Sequence, residues 1–331
     1  MVIVEIGQAH NGSLGRVHAF IDAIAITGAD IIKFQTHIAE AESSIHEPFR
    51  VQFSSQDASR MNYWKRMEFS LRQWKEIKSH CDDVGLEFMS SPFSSAAVDL
   101  LEEVGVERYK IGSGEVSNFL LLDKIVKTNK PLIISSGMSS FQELDDTVNF
   151  LKSKKASFSL MQCTTEYPTQ PKKYGLNVIQ EMKERYSVAI GYSDHSADIG
   201  TCIAATVLGA DFLEVHAVFD KREFGPDVSS SLTIDEISIL VESVRKIEVS
   251  INNPVDKNDI ASFEKVKNIF EKSLAVNKDL KSGHILSIDD LESKKPKGFG
   301  INAKDYQTVI GKSINRDMSK WNFLNYKDIN E

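Results

Sequence analysis

The sequence predicts an α/β chain, a (β/α)8 TIM barrel followed by a small β-rich unit. Three observations carry that prediction. Eight short apolar runs alternate with helix-length amphipathic segments over about 250 residues, the usual length of such a barrel. Several segments end in glycine just before the next run, as in AITGAD (25–30), CDDVGLE (81–87), LEEVGVE (101–107) and VLGAD (207–211). A glycine there stops a helix and turns the chain into a strand. Polar residues also gather at the ends of the runs, where barrel enzymes keep their chemistry. An open doubly wound sheet is the alternative, but no glycine-rich dinucleotide fingerprint follows the first run.

In order, VIVEIG (2–7) carries Glu5 and leads into QAHNG. DIIKFQ (30–35) carries Lys33 and Gln35, and LEFMSS (86–91) ends in Ser91. RYKIG (108–112) holds Lys110 and leads to Ser113 and Glu115; PLIISS (131–136) holds Ser135. SFSLMQC (157–163) runs on to Thr165 and Tyr167, and SVAIGYS (187–193) ends in Ser193 with His195 two residues beyond. DFLEVHAV (211–218) contains His216, and Gly225-Pro-Asp227 follows. Segments such as SLRQWKEIKSHCDDVG and SFQELDDTVNFLKSK set apolar residues at helical spacing. The stretch from His37 to Met67 breaks the rhythm; long, polar and aromatic, it reads as an active-site βα loop. The barrel pattern stops near residue 250. This gives a barrel domain 1–250, a polar linker 251–272 with a short helix, and a β-rich tail 273–331. Some sixty residues is small for a free-standing core, so the tail is expected to pack on a barrel, its own or a partner's.

The chain has 331 residues, 41% hydrophobic and 26% charged, which fits a soluble globular protein. A net charge of −8 argues against nucleic-acid binding by phosphate neutralisation. Cys81, Cys163 and Cys202 form no CxxC or even-numbered framework and read as reduced thiols of a cytoplasmic protein. The start, MVIVEIGQAH, has no basic region of a secretory signal, and no apolar run approaches the roughly 20 residues of a membrane span.

His195 and His216 close two neighbouring strands and would meet at one rim of the barrel, where two imidazoles can hold one metal ion. A lysine inside an apolar strand is costly unless paired, so Lys33 and Lys110 point to function. Ser91, Ser113 and Ser135 stand at or just after the ends of neighbouring runs. A single strand-end serine is more often a capping residue. A buried lysine can also act as a Schiff-base nucleophile, the class I aldolase alternative; the paired histidines count against it.

Taken together, EIGQAHNG, KFQT, PFS, KIGSGE, SSGM, CTTEYPT, GYSDH and GPD occur in the order of the sialic acid synthase family, which the chain resembles over essentially its whole length. The tail, through KSLAVNKDLKSGHILSIDDLESKKP and the later VIGK, is similar to that family's antifreeze-like (SAF, β-clip) domain. The resemblance implies condensation of phosphoenolpyruvate with an N-acetylmannosamine-type sugar to a nine-carbon nonulosonic acid, with release of phosphate. It implies Lys33, Ser91, Lys110, Ser113, Ser135, Thr165 and Ser193 at phosphoenolpyruvate, and Glu5, Gln35, Tyr167, Asp227 and Lys295 at the sugar. Glu115 would be the acid/base that handles water, and His195 and His216 the ligands of Mn²⁺ or Mg²⁺. A domain-swapped homodimer is implied as well.

The chain departs from the family pattern in places. Thr165 stands where many members carry Asn, Val215 replaces the basic residue before the second histidine, and Val228 the histidine after GPD. Lys295 stands for an arginine, one rotatable charge in place of a planar fork. The deoxyoctulosonate and deoxyheptulosonate phosphate condensing enzymes are the runner-up reading, and a catalytically inactive sugar-binding paralogue is the reading from another class. The acceptor stays open among N-acetylmannosamine and the diacetamido-trideoxy sugars.

Overall fold

Eight parallel strands close into a barrel: β1 (Val2–Glu5), β2 (Ile31–Thr36), β3 (Glu87–Pro92), β4 (Tyr109–Ile111), β5 (Leu132–Ser135), β6 (Phe158–Cys163), β7 (Ile190–Asp194) and β8 (Leu213–Val218). Each pairs with the next, and β1 pairs with β8, Glu5 opposite His216. The eight are the apolar runs read from the sequence. A short ninth strand, β9 (Ser231–Thr233), adds to β8 and leads into the helix Ile234–Asn252. The computed structural model describes all residues except 52, 54, 55 and 331.

Strand alternation sets what lies inside. Val2, Val4, Ile32, Phe34 and Phe88 face the helices and belong to the main core. Ile3, Ile31, Met89, Ile133, Met161 and Phe212 form a separate buried cluster, the apolar plug of the barrel. Gly191 makes room for that plug, because a Cβ there would collide with the Phe212 ring and with its carbonyl oxygen at 2.8 Å. Two residues further along these strands, on the same face, stand Glu5, Lys33, Ser91, Ser135, Cys163 and Glu214. The polar layer of the site is therefore the next storey above an apolar plug.

The helices end as their sequences imply. Gly28, Gly85, Gly105 and Gly209 all have left-handed φ, between 79° and 88°. At the other end, Ser70 and Ser140 form capping boxes with Gln73 and Glu143. The helix Leu71–Asp83 buries Trp74, Ile77 and Cys81, spaced along one face. Among the described residues no helix is long and apolar enough to cross a membrane.

The chain divides into two compact units, Met1–Asn253 and Pro254 onward. The second contains a short helix (Glu264–Phe270) and an antiparallel pair, β10 (Ser273–Val276) and β11 (Leu291–Lys294). The tail was expected to need a barrel to cover it, yet it carries its own buried cluster, with Leu274, Val276, Leu286, Val309, Ile314 and Leu324. Leu274 and Val276 lie on β10, but the others are spread along the unit with no shared period, so the sequence does not advertise the cluster as one core.

Candidate active site

A cavity of about 540 Å³ opens at the C-terminal ends of the barrel strands. Its floor is a network of buried charges. Lys33 pairs with the Glu5 carboxylate, and its Nζ lies 3.6 Å from Glu214 Oε1. Lys110 Nζ is 3.5 Å from the same oxygen and donates to Ser135 Oγ at 2.6 Å. Ser193 Oγ donates to Glu214 at 3.2 Å. Glu214 thus stands between two lysines, a role not assigned from the sequence. The available signal was a carboxylate in an apolar strand, two residues before a candidate metal ligand and so on its face.

Burial opposes every charge here, and the pairs decide the balance. Burial raises the Glu5 carboxyl against the pull of Lys33. For Glu214 the two lysines win over burial and hold the carboxyl at about 2. Burial would lower Lys33, but Glu214 and Glu5 overcome it and the ammonium is strengthened. For Lys110 burial outweighs the pull of Glu214, and the charge of Lys33 adds to it, so its ammonium is weakened. The result is a cationic floor with one buried carboxylate bridging it.

His195 and His216 meet beside this floor, ring centroids 5.1 Å apart. Tyr167 stacks on His195 at 4.2 Å. His195 Nδ1 lies 2.9 Å from the Thr164 carbonyl, to which it can only donate; that assigns the proton to Nδ1 and leaves Nε2 with its lone pair in the neutral ring. Burial pushes His216 down to about 3, so it stands neutral. Burial acts the same way on His195, but Cys163 beside Nδ1 and the Thr164 carbonyl outweigh it and raise the ring to about 9. A cation at Nε2 would reverse that preference, because it competes with the proton for the lone pair. An imidazole oriented by a backbone carbonyl is the usual support for a metal-ligating histidine. The two rings therefore fit a divalent ion. Among the described residues no group of three or more His, Cys, Asp or Glu could hold an ion. The pair would leave its remaining positions to water and substrate.

Gln35, Ser91, Ser113, Glu115, Ser135, Thr165, Tyr167, Ser193 and Asp227 all line the cavity, as their places at the strand ends anticipated. Gly137 packs so tightly beneath Ser113 and Thr165 that a Cβ would displace both hydroxyls. Glu115 is half-buried; burial raises its carboxyl, and it accepts from Asn118 Nδ2 at 2.7 Å. Glu5 is fully buried at the end of β1; it accepts from Gln35 Nε2 at 2.7 Å and pairs with Lys33. Lys295 lies in the second unit, its Nζ 4.6 Å over the Phe270 ring.

The loop from His37 to Met67 builds one wall. His37 stacks between Trp64 at 3.8 Å and Phe93 at 4.7 Å, with Nδ1 2.6 Å from Glu42. Arg60 lies over Trp64 at 4.0 Å and within 3.4 Å of Glu47. Arg50 reaches across to Tyr167 and Asp227. The sequence marked this stretch as a loop of the site but gave no individual residue; Arg60 and Trp64 in fact lie on a short helix, Arg60–Met67, whose inward face is Tyr63, Trp64 and Met67.

Fold and site together place two lysines, several hydroxyls and a pair of imidazoles in one cavity at the mouth of a barrel. The NeuB family profile matches residues 20–256, and the chain belongs to the NeuB family. It is 35% identical over 318 residues to the N,N'-diacetyllegionaminic acid synthase of Campylobacter jejuni, covering 94% of this chain and 95% of that protein. It is 33% identical over 320 residues to the human N-acetylneuraminate-9-phosphate synthase, covering 95% of this chain and 88% of that one. The solved N-acetylneuraminic acid (sialic acid) synthetase of Leptospira borgpetersenii matches with a TM-score of 0.70 and 29% identity, over 80% of this chain and 89% of that one.

Proposed function

We propose that the protein condenses phosphoenolpyruvate with an N-acetylmannosamine-type amino sugar, forming a nine-carbon nonulosonic acid and releasing phosphate. The observation that carries this reading is the floor of Lys33 and Lys110, fringed by strand-end hydroxyls and set beside two neutral-capable imidazoles. The lysines and the hydroxyls of Ser91, Ser113, Ser135, Thr165 and Ser193 hold the trianion through charge-assisted hydrogen bonds. This fixes its methylene carbon toward the sugar aldehyde. The carbon–carbon bond forms there, water adds to the neighbouring carbon, and the bond from that carbon to the phosphate oxygen breaks. Glu115, with its raised carboxyl, takes one proton of that water and passes it to the former aldehyde oxygen, and the other leaves with the phosphate. His195 and His216 would hold Mn²⁺ or Mg²⁺, which when bound supplies Lewis-acid polarisation of the aldehyde oxygen. Gln35, Tyr167 and Asp227 orient the sugar.

The test is phosphate release from phosphoenolpyruvate with a panel of N-acetylmannosamine and diacetamido-trideoxy sugars, with product mass read alongside. Release with none of them would overturn the reading. Lys110→Met should weaken phosphoenolpyruvate binding about ten- to a hundredfold, the effect of losing about 1.5–3 kcal/mol of charged contact, while the Met stem keeps the fold. In the same assay Glu115→Gln should depress turnover and leave phosphoenolpyruvate binding intact; unchanged turnover would remove Glu115 from its role.

The tail, residues 273–331, is proposed to act as an antifreeze-like lid on the partner's barrel in a domain-swapped homodimer, with Lys295 reaching the sugar site in trans. The support is a basic turn, Lys294-Lys-Pro-Lys-Gly-Phe-Gly300, on which Phe299 is exposed. Mixing Lys295→Ala with His195→Ala protein should restore activity, since a mixed dimer holds one intact site; a demonstrated heterodimer without recovery would refute it. A cytoplasmic location fits the three buried, unpaired cysteines. Recovery from a secreted fraction would contradict that placement.

A further inference from the structure

Building on the function proposed above, we propose that Arg50 recognises the acyl-amide carbonyl of the acceptor sugar. Arg50 comes from the loop after β2 and lines the cavity. Its guanidinium carbon lies 4.1 Å over the ring of Tyr167, which follows β6. Its Nη2 donates to Asp227 Oδ1 at 2.5 Å and to the Pro226 carbonyl at 3.2 Å, both after β8. Three loops from different sides of the mouth therefore fix one side chain.

A guanidinium has five N–H donors in a rigid fork. Only Nη2 is engaged; Nε and Nη1 have no protein partner among the described residues, and the side chain is 41% exposed. An anchored fork with open donors is prepared to receive a ligand oxygen without first losing side-chain freedom.

The charges around it say what kind of oxygen. The cavity is lined by four cations, Lys33, Lys110, Arg50 and Arg60, and by five carboxylates, Glu42, Glu47, Glu115, Glu214 and Asp227. The two lysines belong to the floor that takes phosphoenolpyruvate. Arg60 is paired with Glu47, and Arg50 with Asp227. The charge of Arg50 is thus already answered by Asp227. A neutral amide carbonyl needs donors and brings no net charge, so it fits the open side of an already neutralised arginine. It is the strongest uncharged hydrogen-bond acceptor such a sugar offers.

The experiment compares wild type, Arg50→Ala and Arg50→Lys, each checked for native circular dichroism. Acceptors are N-acetylmannosamine, 2,4-diacetamido-2,4,6-trideoxymannose and N-acetylmannosamine 6-phosphate, with mannose as a competitive inhibitor lacking the acyl amide. Arg50→Ala should raise KM for the better N-acylated acceptor about ten- to a hundredfold, with the KM for phosphoenolpyruvate and the Ki for mannose unchanged. Arg50→Lys keeps the charge and loses the fork, so most of the increase should remain. An unchanged acceptor KM in Arg50→Ala overturns the assignment, as does an equal loss for mannose. Wild-type preference for the 6-phosphate, lost in Arg50→Ala, would show that the fork reads phosphate. Wild-type turnover with no sugar at all defeats the underlying function and this assignment with it.

Discussion

Glu214→Leu is expected to lower the unfolding free energy by about 3–5 kcal/mol, the cost of breaking a buried ion network by removing one member. Glu214 is 3% exposed and lies between the ammonium groups of Lys33 and Lys110, themselves 5% and 3% exposed. Without it, Lys33 keeps Glu5, but Lys110 keeps only neutral neighbours such as Ser135. Two like charges are then left in one dry compartment. Urea unfolding followed by tryptophan fluorescence at pH 7 reads the effect directly. The pH dependence has a definite sign. Glu214 has a folded-state pKa of about 2, below the roughly 4.3 of an unfolded glutamate. Its stabilisation is complete above that unfolded value and is lost as pH falls from there toward 2. The gap between wild type and Glu214→Leu should therefore be widest near neutrality and narrow in acid below about pH 4. Superimposable unfolding curves at pH 7 would show that the network contributes nothing.

Removing the divalent ion, or either imidazole, should reduce turnover more than about 100-fold, beyond the 10–100-fold typical of losing an outer-shell partner alone. Chelation of the wild type should abolish product formation, and Mn²⁺ or Mg²⁺ should restore it. His195→Ala and His216→Ala should lose calorimetrically measured Mn²⁺ binding together with activity. Thr164 presents its carbonyl to His195 through the backbone, so no side-chain substitution at 164 reproduces the loss. Full activity after exhaustive chelation would refute the metal dependence.

The barrel was legible because its signals are local. Apolar runs of strand length and glycines at helix ends each occupy a few adjacent residues, and every predicted strand formed. Strand-end serines, lysines and histidines were legible for the same reason: in a closed parallel barrel all strand ends share one face. What the sequence hid depends on contacts between distant segments. Glu214 looks like one more residue of an apolar strand until two lysines from other strands stand beside it. That Glu5 pairs with Lys33 and Gln35 of the neighbouring strand was equally hidden. Arg50 belongs to a loop without period and Arg60 to a helix of only two turns, where the packed structure tells an inward side chain from a solvated one. The core of the tail was hidden likewise, because beyond β10 its apolar residues are spread along the chain without a shared period.

The pairing of β1 with β8 sets an order on assembly. A chain emerging from its N-terminus presents Lys33 and Lys110 before Glu214 exists. Until the last strand arrives, Lys110 lacks its counter-charge, and drying its surroundings would cost several kcal/mol. An unfinished barrel is therefore obliged to keep water at its mouth. The eighth strand delivers the missing backbone partners of β1 and the missing negative charge together, with Glu214 opposite Ile3 and His216 opposite Glu5. Sealing and neutralisation become one event, and the incomplete chain is denied a comfortable resting place on the way.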